Sequence, residues 1–327
     1  MTERIETFTV VGAGVIGAGW AARALAQGLD VVAWDVAPGW QRKLRMAVDN
    51  AWPALTRLRL HPAASTTRLH CADSLEAACQ DAEFVQESAP ERIEVKRGLL
   101  ARIDSVTDPG ILIASSTSGL LPSDLQADCQ HPERIVVGHP FNPVYLLPLV
   151  EVLGGTRTTP ESVERTMTFY TGLGMHALKV RKEIDGFLSD RLQEALWREA
   201  LHLVNDDIAT TEELDAAITY GPGLRWAVMG TCFAFHMAGG DGGMRRFLDQ
   251  FGPTLKSPWT RLEAPELSDE LIDTVASGTE RQAEGRTAKE LQRLRDDCLV
   301  SIMEALRSHG VGAGKTLADH QAHLATE

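Results

Sequence analysis

Six residues near the start of the chain, Gly12-Ala13-Gly14-Val15-Ile16-Gly17, follow directly on the apolar run Phe8 to Val11 and lead straight into an Ala-rich stretch, Ala18 to Gln27. Three glycines at that spacing between a strand and a helix leave few structural solutions. Gly12 permits a tight turn, Gly14 lets a pyrophosphate approach the backbone, and Gly17 lets the helix lie close to the strand with its N-terminus facing the anion. Gly12, Ala13, Gly14, Val15, Ile16 and Gly17 are therefore candidate cofactor contacts. The next apolar run, Val31 to Trp34, ends at Asp35, close to the spacing of about 20 residues at which an acid accepts hydrogen bonds from the adenosine ribose. A carboxylate there repels a 2′-phosphate, and no Arg immediately follows it, so the expected cofactor is NAD rather than NADP.

The rest of the first half repeats the alternation. Short β-rich runs at Glu83 to Gln86, Ile111 to Ala114, Ile135 to Val137, Leu149 to Leu153 and Ala177 to Val180 are interleaved with helical periodicity over Gln41 to Leu58, Glu91 to Ile103 and Glu161 to Leu173. That pattern predicts a Rossmann-type α/β fold, a doubly wound parallel sheet. After Gly186 the strand signal vanishes. Helices are expected over Phe187 to Val204, Thr211 to Thr219, Leu224 to Met237, Met244 to Gln250, Ser268 to Ala276 and Thr287 to Ser308. The expected division is an NAD-binding domain over 1–185 and an all-α substrate and dimerisation domain over 186–327.

Composition removes other classes. The 327 residues carry 32 Lys plus Arg against 45 Asp plus Glu, a net charge of −13 that repels nucleic-acid phosphates and anionic lipid, so neither partner is expected. The first residues, Met1-Thr2-Glu3-Arg4-Ile5-Glu6, place charge where a signal peptide needs an apolar core, and no apolar run is long enough to span a membrane, which points to a cytoplasmic protein. Five scattered cysteines, Cys71, Cys79, Cys129, Cys232 and Cys298, contain no C-x-x-C pair. Neither structural zinc nor a disulfide framework is expected.

The chemistry is expected further along. In Gly138-His139-Pro140-Phe141-Asn142-Pro143, two prolines hold a rigid turn, so His139 has a fixed orientation. Twelve residues later Glu151 lies within the apolar strand Leu149-Val150-Glu151-Val152-Leu153, where an unpaired charge costs several kcal/mol. An imidazole is an economical partner: the pair fixes one tautomer and makes His139 a general base. At another strand end, Ala114-Ser115-Ser116-Thr117-Ser118-Gly119 puts hydroxyls at the carboxyl edge of the sheet, and Ser118 is placed to donate to a substrate oxygen.

The glycine turn, Ala114-Ser115-Ser116-Thr117-Ser118, Gly138-His139-Pro140-Phe141-Asn142-Pro143-Val144 and Leu149-Val150-Glu151-Val152 together resemble the 3-hydroxyacyl-CoA dehydrogenase superfamily over nearly the whole chain. Glu87-Ser88-Ala89-Pro90-Glu91-Arg92 and Tyr220-Gly221-Pro222-Gly223-Leu224-Arg225-Trp226-Ala227 narrow the resemblance to its carnitine-oxidising branch. The resemblance implies NAD-dependent oxidation of L-carnitine to 3-dehydrocarnitine by a homodimer. It implies His139 as base, Glu151 as its orienting carboxylate, Ser118 and Asn142 around substrate and nicotinamide, and Glu91 and Lys96 near the nicotinamide ribose. It also exposes one departure. The acyl-CoA enzymes carry Asn early in the second domain's first helix, whereas this chain has Asp190, a carboxylate suited to a quaternary ammonium and unsuited to polyanionic CoA. Phe141 and Tyr145 are candidate aromatic faces for that cation, with Trp197, Tyr220, Trp226 and Phe233 also near the matching segments. The alternatives are a dehydrogenase of L-gulonate or of a 3-hydroxyacyl-CoA, and a non-catalytic NAD-binding protein.

Overall fold

A computed structural model describes residues 5–227, 229–257, 259–260 and 268–325. Eight strands form one sheet: β1 (Thr7–Val11), β2 (Asp30–Trp34), β3 (Leu69–Cys71), β4 (Phe84–Glu87), β5 (Leu112–Ser115), β6 (Ile135–Pro140), β7 (Leu149–Gly154) and β8 (His176–Lys179), in the order β3-β2-β1-β4-β5-β6-β7-β8. β3 through β6 are mutually parallel. Every residue of β4, β5 and β6 is buried, as expected of central strands covered on both faces. The strand order reverses between β1 and β4, and in sheets of this kind the ligand crevice opens outside the carboxyl ends of the strands at that reversal.

Helices cover both faces. On one side α1 (Val15–Ala26) and α2 (Trp40–Arg57) pack with Trp20, Leu25 and Leu44 against Phe8, Val31 and Phe84. On the other, α3 (Leu75–Cys79), α4 (Ile93–Val106) and α5 (Pro122–Leu125) pack Leu75, Leu100, Ile103 and Leu125 against Val85, Ile113 and Val137. α6 (Pro160–Gly172) joins the first side, where Phe169 stacks on Phe84 with ring centroids 4.1 Å apart and Tyr170 on Trp20 at 5.1 Å. The later helices are α7 (Ser189–Asn205), α8 (Thr211–Thr219), α9 (Pro222–Trp226), α10 (Thr231–Ala238), α11 (Gly243–Phe251), α12 (Asp269–Gln282), α13 (Ala288–Arg307) and α14 (Gly312–Leu324).

Two features depart from the sequence reading. β7 runs antiparallel to β6, because the eight residues 141–148 between them are too few for the dozen or more that a parallel crossover needs. The single helix expected over Leu224 to Met237 is two, α9 and α10, with Gly230 capping the second; Val228 lies outside the described residues. The described residues within Met1–Leu188, Asp296–Ser308 and Ala313–Glu327 form one compact unit, and those within Ser189–Arg295 and His309–Gly312 form another. In the first unit Leu146 and Ala54 share an apolar cluster with Val300 and Met303 of α13, against which Ala313 and Leu317 of α14 pack.

Candidate active site

At the carboxyl end of β1 the backbone turns at Gly12, whose φ of +97° favours glycine and whose Cβ, were there one, would fall 2.7 Å from the Ser88 carbonyl carbon. A Cβ on Gly17 would fall 1.8 Å from the Gly12 oxygen, so only glycine lets α1 start this close to the strand. Around Gly14 the space is open. Gly14 caps α1 without any side-chain hydrogen bond, and the first turn contains no acid, which leaves its amides suited to an anion. Asp35 is fixed beside them, its Oδ2 accepting the Ala13 N–H at 2.7 Å and its Oδ1 the Ala37 N–H at 2.7 Å. A carboxylate offers about four acceptor positions, so it keeps capacity for ribose hydroxyls. These residues fit a dinucleotide.

A second cluster locks the neighbouring loops. Glu87, wholly buried at the end of β4, accepts from Lys96 Nζ at 2.9 Å, Ser115 Oγ at 2.5 Å and the Ala89 N–H at 2.5 Å. Lys96 is 1% exposed, and Glu91 Oε2 lies 3.6 Å from its ammonium. The expected helix start at Glu91 is delayed to Ile93 by the extended backbone of Arg92. Glu91 therefore lies in the loop, where its Oε1 accepts from the Thr117 hydroxyl, the Ser118 N–H at 3.0 Å and the Gly119 N–H at 3.3 Å. Ser118 is exposed at this braced turn. Glu87 carried no signal in the sequence beyond an acid ending an apolar strand.

The antiparallel register of β6 and β7 sets His139 directly opposite Glu151. His139 Nδ1 and Glu151 Oε2 are 2.9 Å apart, and both side chains are buried. The other carboxylate oxygen, Oε1, accepts the Leu188 N–H at 3.0 Å. Phe141 and Phe187 place their ring centroids 4.8 and 5.4 Å from the imidazole. Phe187 has φ +47°, a conformation that costs a bulky residue about 1–3 kcal/mol and that follows the left-handed Gly186. This bend brings both the Phe187 ring and the Leu188 amide to the pair, and nothing in the sequence announced it.

The remaining candidates are distributed. Asn142 is exposed in the loop between β6 and β7. Tyr145 packs with Leu146 against Val300 and Met303, and its hydroxyl donates to Asp296 Oδ2 at 2.5 Å. Asp190 lies half-buried in the first turn of α7, in the second unit. Among the described residues no helix is long and apolar enough to cross a membrane.

Fold and site together define an NAD-dependent dehydrogenase of the Rossmann type. Residues 7–184 match the NAD-binding domain of 3-hydroxyacyl-CoA dehydrogenase and residues 186–287 match its C-terminal domain. The chain belongs to the 3-hydroxyacyl-CoA dehydrogenase family. It is 57% identical over 315 residues to the L-carnitine dehydrogenase of Pseudomonas putida, covering 96% of this chain and 98% of that one. It is 54% identical to the L-carnitine dehydrogenase of Streptomyces coelicolor, covering 93% and 95%. Among solved structures, 5-formyl-3-hydroxy-2-methylpyridine 4-carboxylic acid 5-dehydrogenase, an NAD+-dependent dismutase, is similar at 29% identity with a TM-score of 0.78, covering 93% of this chain and 99% of that one. FadB2 of M. tuberculosis follows at 26% identity and a TM-score of 0.65, covering 84% and 95%.

Proposed function

We propose that this chain oxidises the 3-hydroxyl of L-carnitine to 3-dehydrocarnitine, with NAD as acceptor. The observation that carries the substrate is the identity above half, over nearly the full length of both chains, to proteins named L-carnitine dehydrogenase. The glycine turn, the amides of the first turn of α1 and Asp35 hold the dinucleotide, and when bound it accepts the hydride released from C3.

The pairing of Nδ1 with Glu151 supports the tautomer protonated on Nδ1, whose basic nitrogen is Nε2. Nε2 takes the hydroxyl proton as C3 loses its hydride. Glu151, held on its other oxygen by the Leu188 amide, stabilises the imidazolium that results. Ser118 and Asn142 hydrogen-bond the developing carbonyl oxygen, and the brace from Glu91 keeps the Ser118 turn in place. The Phe141 ring attracts the trimethylammonium group, which cannot donate a strong hydrogen bond and is suited to a π-face contact. Lys96 acts from beneath, as the counter-ion of Glu87 and Glu91.

Large apolar side chains stand exposed on the second unit, among them Leu192 at 72%, Tyr220 at 85% and Leu255 at 81%, and these support a homodimer. A mass of twice the chain by light scattering is the expected result. NAD reduction assayed with L-carnitine, L-gulonate and 3-hydroxybutyryl-CoA tests the substrate: turnover with carnitine alone is expected, and preference for either anion overturns it.

A further inference from the structure

Beneath the carboxyl edge of the sheet runs a chain of side-chain hydrogen bonds that the chemistry above does not use. Tyr170, wholly buried on α6, has its hydroxyl 2.6 Å from Gln86 Oε1. Gln86, wholly buried in β4, has its Nε2 2.8 Å from Ser116 Oγ and 3.4 Å from the Gly138 carbonyl oxygen. Trp20 Nε1 lies 3.1 Å from the same Ser116 oxygen, and Ser88 Oγ lies 2.9 Å from it. The missing side chain of Gly138, the residue before His139, makes the room: a Cβ there would fall 1.9 Å from Tyr170 Oη.

The proton directions follow by counting. A carbonyl only accepts, so the Gln86 atom facing Gly138 is its amide nitrogen, and the Gln86 oxygen is left to accept from Tyr170. An indole N–H only donates. Ser116 Oγ thus receives two donors, from Gln86 and Trp20, which fill its two lone pairs. Its own proton goes to Ser88 Oγ. Ser88 therefore accepts within the network, and its own proton is turned out of it.

Ser88 directly follows β4, where the strand order reverses, and its carbonyl packs against Gly12 at the head of the glycine turn. It is half-buried, on the side of β4 that faces β5 and the second mononucleotide half of the fold. We propose that Ser88 is a binding residue for the dinucleotide, its hydroxyl oriented by the Tyr170, Gln86 and Ser116 chain to donate to an acceptor oxygen of the bound cofactor. The inference rests on the dehydrogenase reading of the crevice and adds to it a residue that the glycine turn and Asp35 do not supply.

The test is titration of wild type, Ser88→Ala and Ser88→Thr with NADH, following nicotinamide fluorescence, with melting temperatures measured in the absence of NADH. Ser88→Ala is expected to raise Kd by about 3–10-fold, as loss of one hydrogen bond to the cofactor requires, with a small fall in melting temperature because Ser116 loses its acceptor. Ser88→Thr, which keeps the hydroxyl, is expected to bind within about twofold of wild type. Equal affinity of Ser88→Ala and wild type overturns the role of Ser88 and leaves the dehydrogenase reading intact. Weakening shared by both variants and accompanied by a fall in melting temperature also overturns it, in favour of a purely structural serine. Failure of the wild type to bind NADH overturns the dehydrogenase reading and this inference with it.

Discussion

Glu151 is a carboxylate with no solvent exposure, held by an imidazole on one oxygen and an amide on the other. Removing one partner from a buried pair typically costs about 3–5 kcal/mol, so the informative variants keep polar shape. His139→Asn and Glu151→Gln are each expected to lower kcat by about 100-fold or more while the protein still melts cooperatively and binds NADH, as steady-state rates and fluorescence titration will check. This pair was legible in the sequence because an acid inside an apolar strand demands a partner. The Glu87 and Lys96 pair was not: its members end one element and sit inside the next, and only the fold hides both from water. Two thiols give a pH signature. Burial pushes Cys79 up to about 12 and Cys129 up to about 12, from an ordinary value of 9.0. The folded state therefore keeps protons that the unfolded chain releases above pH 9.0, and stability is intact below that value and lost as pH climbs towards about 12. Urea midpoints are expected to fall between about pH 8 and about pH 10.5, and Cys79→Ala with Cys129→Ala is expected to flatten that fall.

At the scale of elements, the short link between β6 and β7 decides the chemistry, since a hairpin rather than a crossover sets His139 across from Glu151. The sequence revealed the strands through their β-branched runs but not their relative direction, which depends on what the connecting residues can span. β3 has only three residues, Leu69–Cys71, too few to establish a period, and the α9 and α10 break turns on a glycine that helical spacing alone passes over. The link is held from behind by Arg23 in the last turn of α1, whose buried guanidinium donates to the carbonyls of Val144 at 2.8 Å, Leu147 at 3.4 Å and Leu173 at 3.2 Å. Burial lowers its pKa to about 10. Arg23→Met fills similar space but leaves those carbonyls without a donor. A loss of about 2–3 kcal/mol in urea unfolding is expected, together with a raised KM, because the same link bears Phe141 and Asn142.

Over the whole molecule, the chain leaves its first compact unit after Leu188 and returns to it with Asp296–Ser308 and the described residues from Ala313 onward. The return was not legible: a change from alternating to helical pattern marks where strands stop, not where later helices dock. The described part of α14 is tied down by Gln321, which donates to the Leu58 carbonyl at 3.0 Å, and by Leu317 and Leu324 packed into the unit. Ending the chain at Gly310 is expected to cost about 3–5 kcal/mol, visible as a lower melting temperature by calorimetry, since the apolar burial supplied by Leu317 and Leu324 is removed. The same return imposes an order on synthesis. A ribosome releases this protein from its N-terminus, so the glycine turn and the sheet emerge long before the helices that shield Ala54 and Leu146. Until the final segment is made, the nascent chain carries an uncovered apolar surface, and that interval is when it most needs a chaperone.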